Sequence, residues 1–211
     1  MLLIVVDYGV GNLRSIAKSI EKANSENNLN YSVKVSSDVK EIKRADKLVL
    51  PGQGSFKACR EGIKNIKGLD EELTESVINN KKPIYGICAG MQLFGTTGYE
   101  DEETAGLNWI EGDVVKIKPF PINLKIPHMG WNELNIKNSS EVFKNVKDKS
   151  HAYFIHSYEF KPKNKKVISL TTSYGKEIVA AVCCENIYGS QFHPEKSQDT
   201  GIKILTSFLK I

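Results

Sequence analysis

Between Pro83 and Phe94 the chain reads Pro-Ile-Tyr-Gly-Ile-Cys-Ala-Gly-Met-Gln-Leu-Phe, and few folds accommodate such a segment. The apolar run Ile84 to Ile87 has the length and composition of a buried strand, and Gly86-Ile87-Cys88-Ala89-Gly90 breaks it sharply. Two glycines flanking a cysteine between strand and helix form the cysteine version of the elbow that holds a nucleophile on a strained turn. The glycines let neighbouring backbone pass without a Cβ in the way. Met91, Gln92, Leu93 and Phe94 lead into a helix whose N-terminus lies beside the sulfur, where N–H groups face anions and favour a thiolate. A lone cysteine on an apolar strand is equally at home in a core, so the assignment of Cys88 as nucleophile rests on finding a base.

The chain leading to this elbow alternates strand and helix. Leu2 to Val6 is a continuous apolar run, as in a central parallel strand covered on both faces. Asp7-Tyr8-Gly9-Val10-Gly11-Asn12 then turns, and Asn12 can cap a helix from Leu13 to about Ala23. Gly9-Val10-Gly11 matches the opening of a dinucleotide fingerprint, but Arg14 stands where the third glycine belongs and no acid ends the next strand. A tight strand-to-helix turn is the better reading. Tyr31 to Ser36 and Lys47 to Leu50 read as further strands, with a short helical piece over Asp38 to Arg44 between them. The second of these strands ends in Pro51-Gly52-Gln53-Gly54-Ser55, which is no P-loop because no Gly-Lys-Ser/Thr follows. It is either a plain αL turn into a helix starting near Ser55 or a loop whose bare N–H groups face an oxyanion. Helices follow through Asp70 to Asn80. The alternation implies an α/β fold with a doubly wound, mostly parallel sheet and helices on both faces. Ligands of such sheets bind at the carboxyl edge, where these three glycine turns would gather.

Beyond Gly98 the texture changes. Tyr99 to Thr104 is acidic and reads as a loop, and short alternating or β-branched runs follow at 113–118, 124–127, 152–160, 167–172, 179–185 and 187–191. Pro119, Pro121, Pro127, Asn164 and Gly189 punctuate them, and a helix is expected from about Asp199 to Leu209. This half is richer in antiparallel pairing. No linker or composition break divides the 211 residues, so one domain over 1–211 is expected.

Composition narrows the classes. With 40% hydrophobic and 26% charged residues and no membrane-spanning apolar run, the chain is an ordinary globular one. The opening Met1-Leu2-Leu3-Ile4-Val5-Val6-Asp7 reads as a first strand rather than a signal peptide. Cys59, Cys88, Cys183 and Cys184 lack metal-ligand spacing, so no metal is expected, and a reduced, cytoplasmic setting is. Adjacent Cys183 and Cys184 would point to opposite faces of a strand. Net charge is +4, but the lysines around 144–149 and 161–166 lack interleaved aromatics and read as solvated faces, not a nucleic-acid site.

Of the four histidines, His128, His151, His156 and His193, only the last stands in a context that demands chemistry. It leaves the strand ending Ser190-Gln191-Phe192 and is followed by Pro194, which stops a ladder, and Glu195. On extended backbone His193 and Glu195 project to the same side. The carboxylate can hold the imidazole's tautomer, and the imidazole can deprotonate a thiol, giving a Cys–His–Glu set. Serine-type α/β-hydrolases usually place the acid before the histidine, so this order argues against them.

These segments resemble the triad (class I) glutamine amidotransferases, a family with a Pro-Gly-x-Gly oxyanion loop, a Gly-x-Cys-x-Gly-x-Gln elbow and a His-Pro-Glu end on a doubly wound sheet. The resemblance runs the whole chain. It is strongest to the branch of glutaminase subunits of imidazole glycerol phosphate synthases, carried by Asp7 to Ser15, Ile126 to Asn132, Tyr153 to Tyr158 and His193 to Ser197. It implies that Cys88 attacks the glutamine side-chain amide, that His193 relays protons and that Glu195 orients it. Gly52, Gln53, Gly54 and Ala89 would hold the oxyanion. Gln92, Glu100, His156, Ser157 and Tyr158 would bind the substrate L-glutamine. Tyr8, Asn12, Trp131 and Lys196 match the face that docks the partner, a cyclase subunit with a (β/α)₈ barrel, in a heterodimer. The resemblance implies no metal or organic cofactor.

Free ammonia is mostly ammonium at neutral pH and useless as a nucleophile, so it should be released into a closed path to the partner. The loop at Gly52–Gly54 is accordingly expected to stay inactive until the cyclase binds its ligand. Three other readings share these residues. A paralogue of the same branch could serve another synthase, for example in surface-sugar amidination. A Cys–His–Glu hydrolase or peptidase on a related fold is opposed by Gln92 and the Tyr153–Tyr158 segment. A catalytically idle module regulating the barrel is opposed by the intact Cys88, His193 and Glu195.

Overall fold

The computed structural model of the protein describes residues 1–118 and 124–211, so Pro119 and Pro121 lie outside the described residues. The first half alternates as expected: β1 (Leu2–Val6), α1 (Leu13–Glu26), β2 (Ser32–Ser36), α2 (Val39–Arg44), β3 (Lys47–Leu50), α3 (Phe56–Asn65), α4 (Leu69–Thr74) running into a π turn, then β4 (Ile84–Ile87) and α5 (Ala89–Gln92). Asn12, Asp38 and Ser55 cap α1, α2 and α3 through their side chains. The second half adds β5 (Thr97–Glu100), β6 (Glu102–Ala105), β7 (Gly112–Lys116), β8 (His128–Glu133), β9 (Asn135–Ile136), β10 (His151–His156), β11 (Tyr158–Pro162), β12 (Ile168–Ser173), β13 (Glu177–Cys184), β14 (Ile187–Ser190) and α6 (Gln198–Lys210).

The main sheet has the order β2-β1-β3-β4-β14-β13-β12-β9, parallel from β2 through β14 and antiparallel beyond. Alternate residues of β1 serve opposite layers. Leu3 and Val5 join Ile16 and Ile20 of α1 and Ile204, Leu205 and Phe208 of α6. Ile4 and Val6 join Ile42 of α2, Phe56 and Ile63 of α3, and Leu69 and Leu73 of α4. Burying both faces explains why β1 is an unbroken apolar run and why β3 is apolar from Leu48 to Leu50. On β13, Cys183 and Cys184 pack against these two opposite layers. A four-stranded sheet, β11-β7-β5-β6, and a separate ribbon, β8 with β10, complete the described strands.

Three expectations need correction. The acidic stretch Tyr99 to Thr104 is no loop: it forms most of the β5–β6 hairpin, pairing Tyr99 with Glu103 and Glu100 with Glu102. As the edge strand of its sheet, β6 carries charges on open faces, and Glu102 meets Lys57 at 2.8 Å. The run 124–127 is not a strand, and the ladder begins at His128. The run 152–160 is two strands, because at Ser157 the chain leaves the ribbon with β8 and enters the sheet with β7.

Candidate active site

β1, β3, β4 and β14 run parallel, so the segments that follow them meet at one edge. They meet without slack. A Cβ on Gly52 would lie 2.1 Å from Gly90 N, and one on Gly90 would lie 2.0 Å from Leu50 O, so the loop after β3 and the elbow after β4 touch backbone to backbone. At the elbow Cys88 has φ 54° and ψ −114°, a conformation that side-chain-bearing residues rarely hold, and its N–H is anchored on Ser190 O at 2.8 Å. Cys88 is 8% exposed and lines a cleft of about 310 Å³.

His193 lines the same cleft as Cys88, and its Nδ1 is hydrogen-bonded with Glu195 Oε1 at 2.8 Å. The His193–Glu195 contact is made across a 3₁₀ turn over Pro194–Lys196, not along the extended backbone expected from spacing. That turn is sewn to the ribbon. His193 N donates to Tyr153 O, and the Ser197 hydroxyl donates to His193 O while accepting from Tyr153 N. Burial opposes the charged imidazole, but the proximity of the Cys88 sulfur and the Glu195 carboxylate outweighs it and raises His193 to about 10.

Opposite the thiol, the N–H groups of Gly52, Gln53, Gly54 and Ala89 donate to nothing among the described residues. Their loop is held by its carbonyls instead: Pro51 O accepts from Tyr8 Oη, and Gln53 O receives Cys59 Sγ at 3.8 Å. Burial pushes the Cys59 thiol up to about 11, which leaves it inert.

Gln92, Glu100, His156, Ser157 and Tyr158 all line the cleft with Cys88 and His193. Glu100 reaches it from β5 and accepts the N–H of Phe56 at 2.7 Å, capping α3. His156 Nδ1 bonds Tyr158 O at 2.8 Å, its Nε2 meets His128 Nδ1 at 3.0 Å, and His128 Nε2 meets Asn132 Nδ2 at 3.0 Å. Tyr158 O can only accept, so the chain of donors runs Asn132 to His128 to His156 with both rings neutral. Burial keeps them so, lowering His128 to about 4 and His156 to about 3. Sequence reasoning missed His128 and Gln191 as contributors to this wall. The signal was present as a polar residue inside an apolar strand end, Ser190-Gln191-Phe192, where burial without a partner is costly.

Of the residues expected to face a partner, Asn12, Trp131 and Lys196 are exposed, with Trp131 at 48%. Trp131 meets the ring of Tyr153 edge-on, and Lys196 sits 5.6 Å over that ring at the cleft's rim. Tyr8 is a correction. It is 2% exposed beneath the glycine loop, because its hydroxyl finds the Pro51 carbonyl there, and it offers no outer surface. Among the described residues no group of three or more His, Cys, Asp or Glu side chains is placed to hold a metal ion, and no helix is long and apolar enough to cross a membrane.

Comparison with known proteins gives a consistent picture. The family described as "Glutamine amidotransferase class-I" matches residues 4–211. The chain is 48% identical over 211 residues to the imidazole glycerol phosphate synthase subunit HisH of Pelagibacter ubique, covering 100% of both chains. It is 41% identical over 213 residues to the subunit of the same name from Brucella suis, covering 100% of this chain and 99% of the other. A solved structure described as a glutamine amidotransferase shares its fold at TM-score 0.72 and 17% identity, covering 99% of each chain.

Proposed function

Because the chain belongs to the class-I glutamine amidotransferase family, we propose that Cys88, His193 and Glu195 hydrolyse the side-chain amide of glutamine in this cleft. The observation that carries the assignment is one cleft lined by Cys88, by His193 hydrogen-bonded to Glu195 at 2.8 Å, and by Gly52, Gln53, Gly54 and Ala89, whose backbone N–H groups are unpaired among the described residues. In the first step, with the Cys88 proton held on His193, the sulfur attacks the carboxamide carbon. The oxyanion that forms is met by the N–H groups of Ala89 and the Gly52–Gly54 loop. His193 then delivers its proton to the departing nitrogen, and ammonia leaves behind a thioester. Water, deprotonated by His193, attacks the thioester, and glutamate departs as the thiol is restored. Glu195 fixes the ring and balances its charge throughout. Gln92, Glu100, His156, Ser157 and Tyr158 hold the amino-acid end of the substrate, with the Glu100 carboxylate suited to its ammonium group.

The chain acts as the glutaminase subunit of imidazole glycerol phosphate synthase, a reading supported by identities of 41–48% over its full length to subunits of that name. In this reading residues 1–211 are one amidotransferase domain that works in the cytoplasm and forms a heterodimer with a (β/α)₈-barrel cyclase. The partner receives the ammonia and forms imidazole glycerol phosphate and AICAR in histidine biosynthesis. Asn12, Trp131 and Lys196 form the docking face, and Tyr8 acts from below through the loop. No cofactor is called for. The test is glutamate release from glutamine by the chain alone and with a cyclase loaded with its ribonucleotide substrate. Strong stimulation only in the loaded complex is expected. Hydrolysis that ignores the partner would move the acceptor elsewhere, and glutamine hydrolysis by a Cys88→Ala variant would sink the triad.

A further inference from the structure

The polarity of one buried hydrogen-bond network singles out Gln191. Tyr158 O accepts from His156 Nδ1 at 2.8 Å and from Gln92 Nε2 at 3.1 Å. A carbonyl has no proton to give, so Gln92 must be turned nitrogen-first. The same Nε2 sends its second proton to Gln191 Oε1 at 2.8 Å. That leaves Gln191 with its nitrogen toward Cys88, and Nε2 stands 3.6 Å from Sγ. Turning the Gln191 amide over would set donor against donor at Gln92 and oxygen against sulfur at Cys88. Gln191 is 0% exposed, and its backbone N–H is pinned on Ala180 O at 2.8 Å, so the side chain is buried on an anchored backbone.

We propose that Gln191 is a further catalytic residue, whose Nε2–H donates to the Cys88 sulfur and stabilises the thiolate that attacks. An amide N–H suits this task because it stabilises the anion without competing for the proton that His193 must carry. The proposal rests on the reading of Cys88 as the nucleophile. Other titratable groups bear on the same sulfur. His193 faces it with Glu195 behind, Tyr8 and Cys59 lie beneath the loop, and Glu100, His156 and Lys196 stand around the cleft. Substitution at 191 removes none of these groups, although Gln191→Met also takes the acceptor of Gln92 Nε2 away.

The test is the rate of Cys88 alkylation by iodoacetamide as a function of pH, read on the Cys88 peptide of the full chain. Wild type is compared with Gln191→Met, which keeps the length and removes the donor, and Gln191→Asn, which withdraws the amide from the sulfur in a smaller side chain. The acid limb of the profile should move up by about one pH unit in both, so the rate on that limb falls about tenfold. Glutamine turnover in the partner complex should fall mainly in kcat. Should Gln191→Met fail to fold by its melting curve, Gln191→Asn decides alone. A folded variant whose limb coincides with wild type overturns the role of Gln191. A wild-type Cys88 that alkylates only as an ordinary thiol would instead overturn the nucleophile assignment.

Discussion

Replacing Gly52 by alanine tests whether the contact between loop and elbow positions the reaction. The added Cβ would lie 2.1 Å from Gly90 N, 2.6 Å from the Ala89 carbonyl carbon and 2.8 Å from Ala89 Cβ, whereas ordinary contact begins near 3.4 Å. None of these atoms is the loose end of a flexible side chain. Gly90 cannot retreat, because its own Cα is already against Leu50 O on β3. The loop must therefore move by about 1 Å, carrying the N–H groups of Gly52–Gly54 off their line to Cys88, and a shift of that size costs on the order of 100-fold. We expect kcat/KM for glutamine in the partner complex to fall about 100-fold, near 2.7 kcal/mol of lost transition-state stabilisation. Overpacking should also cost about 1–3 kcal/mol of stability, visible as a lower melting temperature. Gly54→Ala is the control. Nothing lies within 4 Å of its Cβ, and only its φ of +105° is strained, so it should perturb the loop without displacing the elbow. A Gly52→Ala enzyme within about threefold of wild type would refute the reasoning, since 1 Å of displacement could not then matter.

Three further outcomes follow from the same geometry. Glu195→Gln should lower kcat by roughly 10²–10⁴-fold, as loss of the orienting carboxylate does in related triads. Because His193 is raised to about 10, the stability it contributes is full below about 6.5 and lost as pH rises through about 10; melting temperatures between these values should fall less steeply in Glu195→Gln. The buried dyad acts with opposite sign. His128 and His156 are lowered to about 4 and 3, so their contribution is full above about 6.5 and lost as pH falls through those values. Urea midpoints between pH 4 and 7 should decline less in His128→Asn, and an unchanged slope would show that the rings are not buried neutral. Trp131→Ala should weaken partner binding about 30-fold, or roughly 2 kcal/mol, by titration calorimetry while leaving the isolated chain's melting temperature in place.

What the sequence made legible was local and strongly patterned. The elbow at Cys88, the glycine loop after β3 and the His193–Pro194–Glu195 turn each announce a special backbone, and alternation of apolar runs with capped helices implies the parallel sheet that brings them to one edge. The β5–β6 hairpin was hidden because Glu102 and Glu103 are an edge strand's charges, which look like a loop's. The division of 152–160 was hidden because strand periodicity passes through Ser157 without a break, and only the partners β8 and β7 differ. Tyr8 lay in a matched segment, but nothing local shows that its hydroxyl would turn inward to Pro51. Gln191 escaped for a related reason: its partners, Gln92 and Cys88, lie about a hundred residues upstream.

The ribbon of β8 and β10 is a pair of strands with no third among the described residues. Such a pair is marginal on its own, and its outer side leaves Met129 at 63%, Trp131 at 48% and Ile155 at 38% exposure. Yet Ile155 and His156, the last residues of β10, are also cleft wall, and the Tyr153 carbonyl anchors His193. A ribbon of only two strands therefore carries part of the molecule's most demanding geometry. Local opening there, at a free energy well below that of global unfolding, would loosen the cleft wall and the seat of His193 together. A surface that covers Met129, Trp131 and Ile155 would thus act as a folding partner for the cleft, turning the order of the site into a function of association.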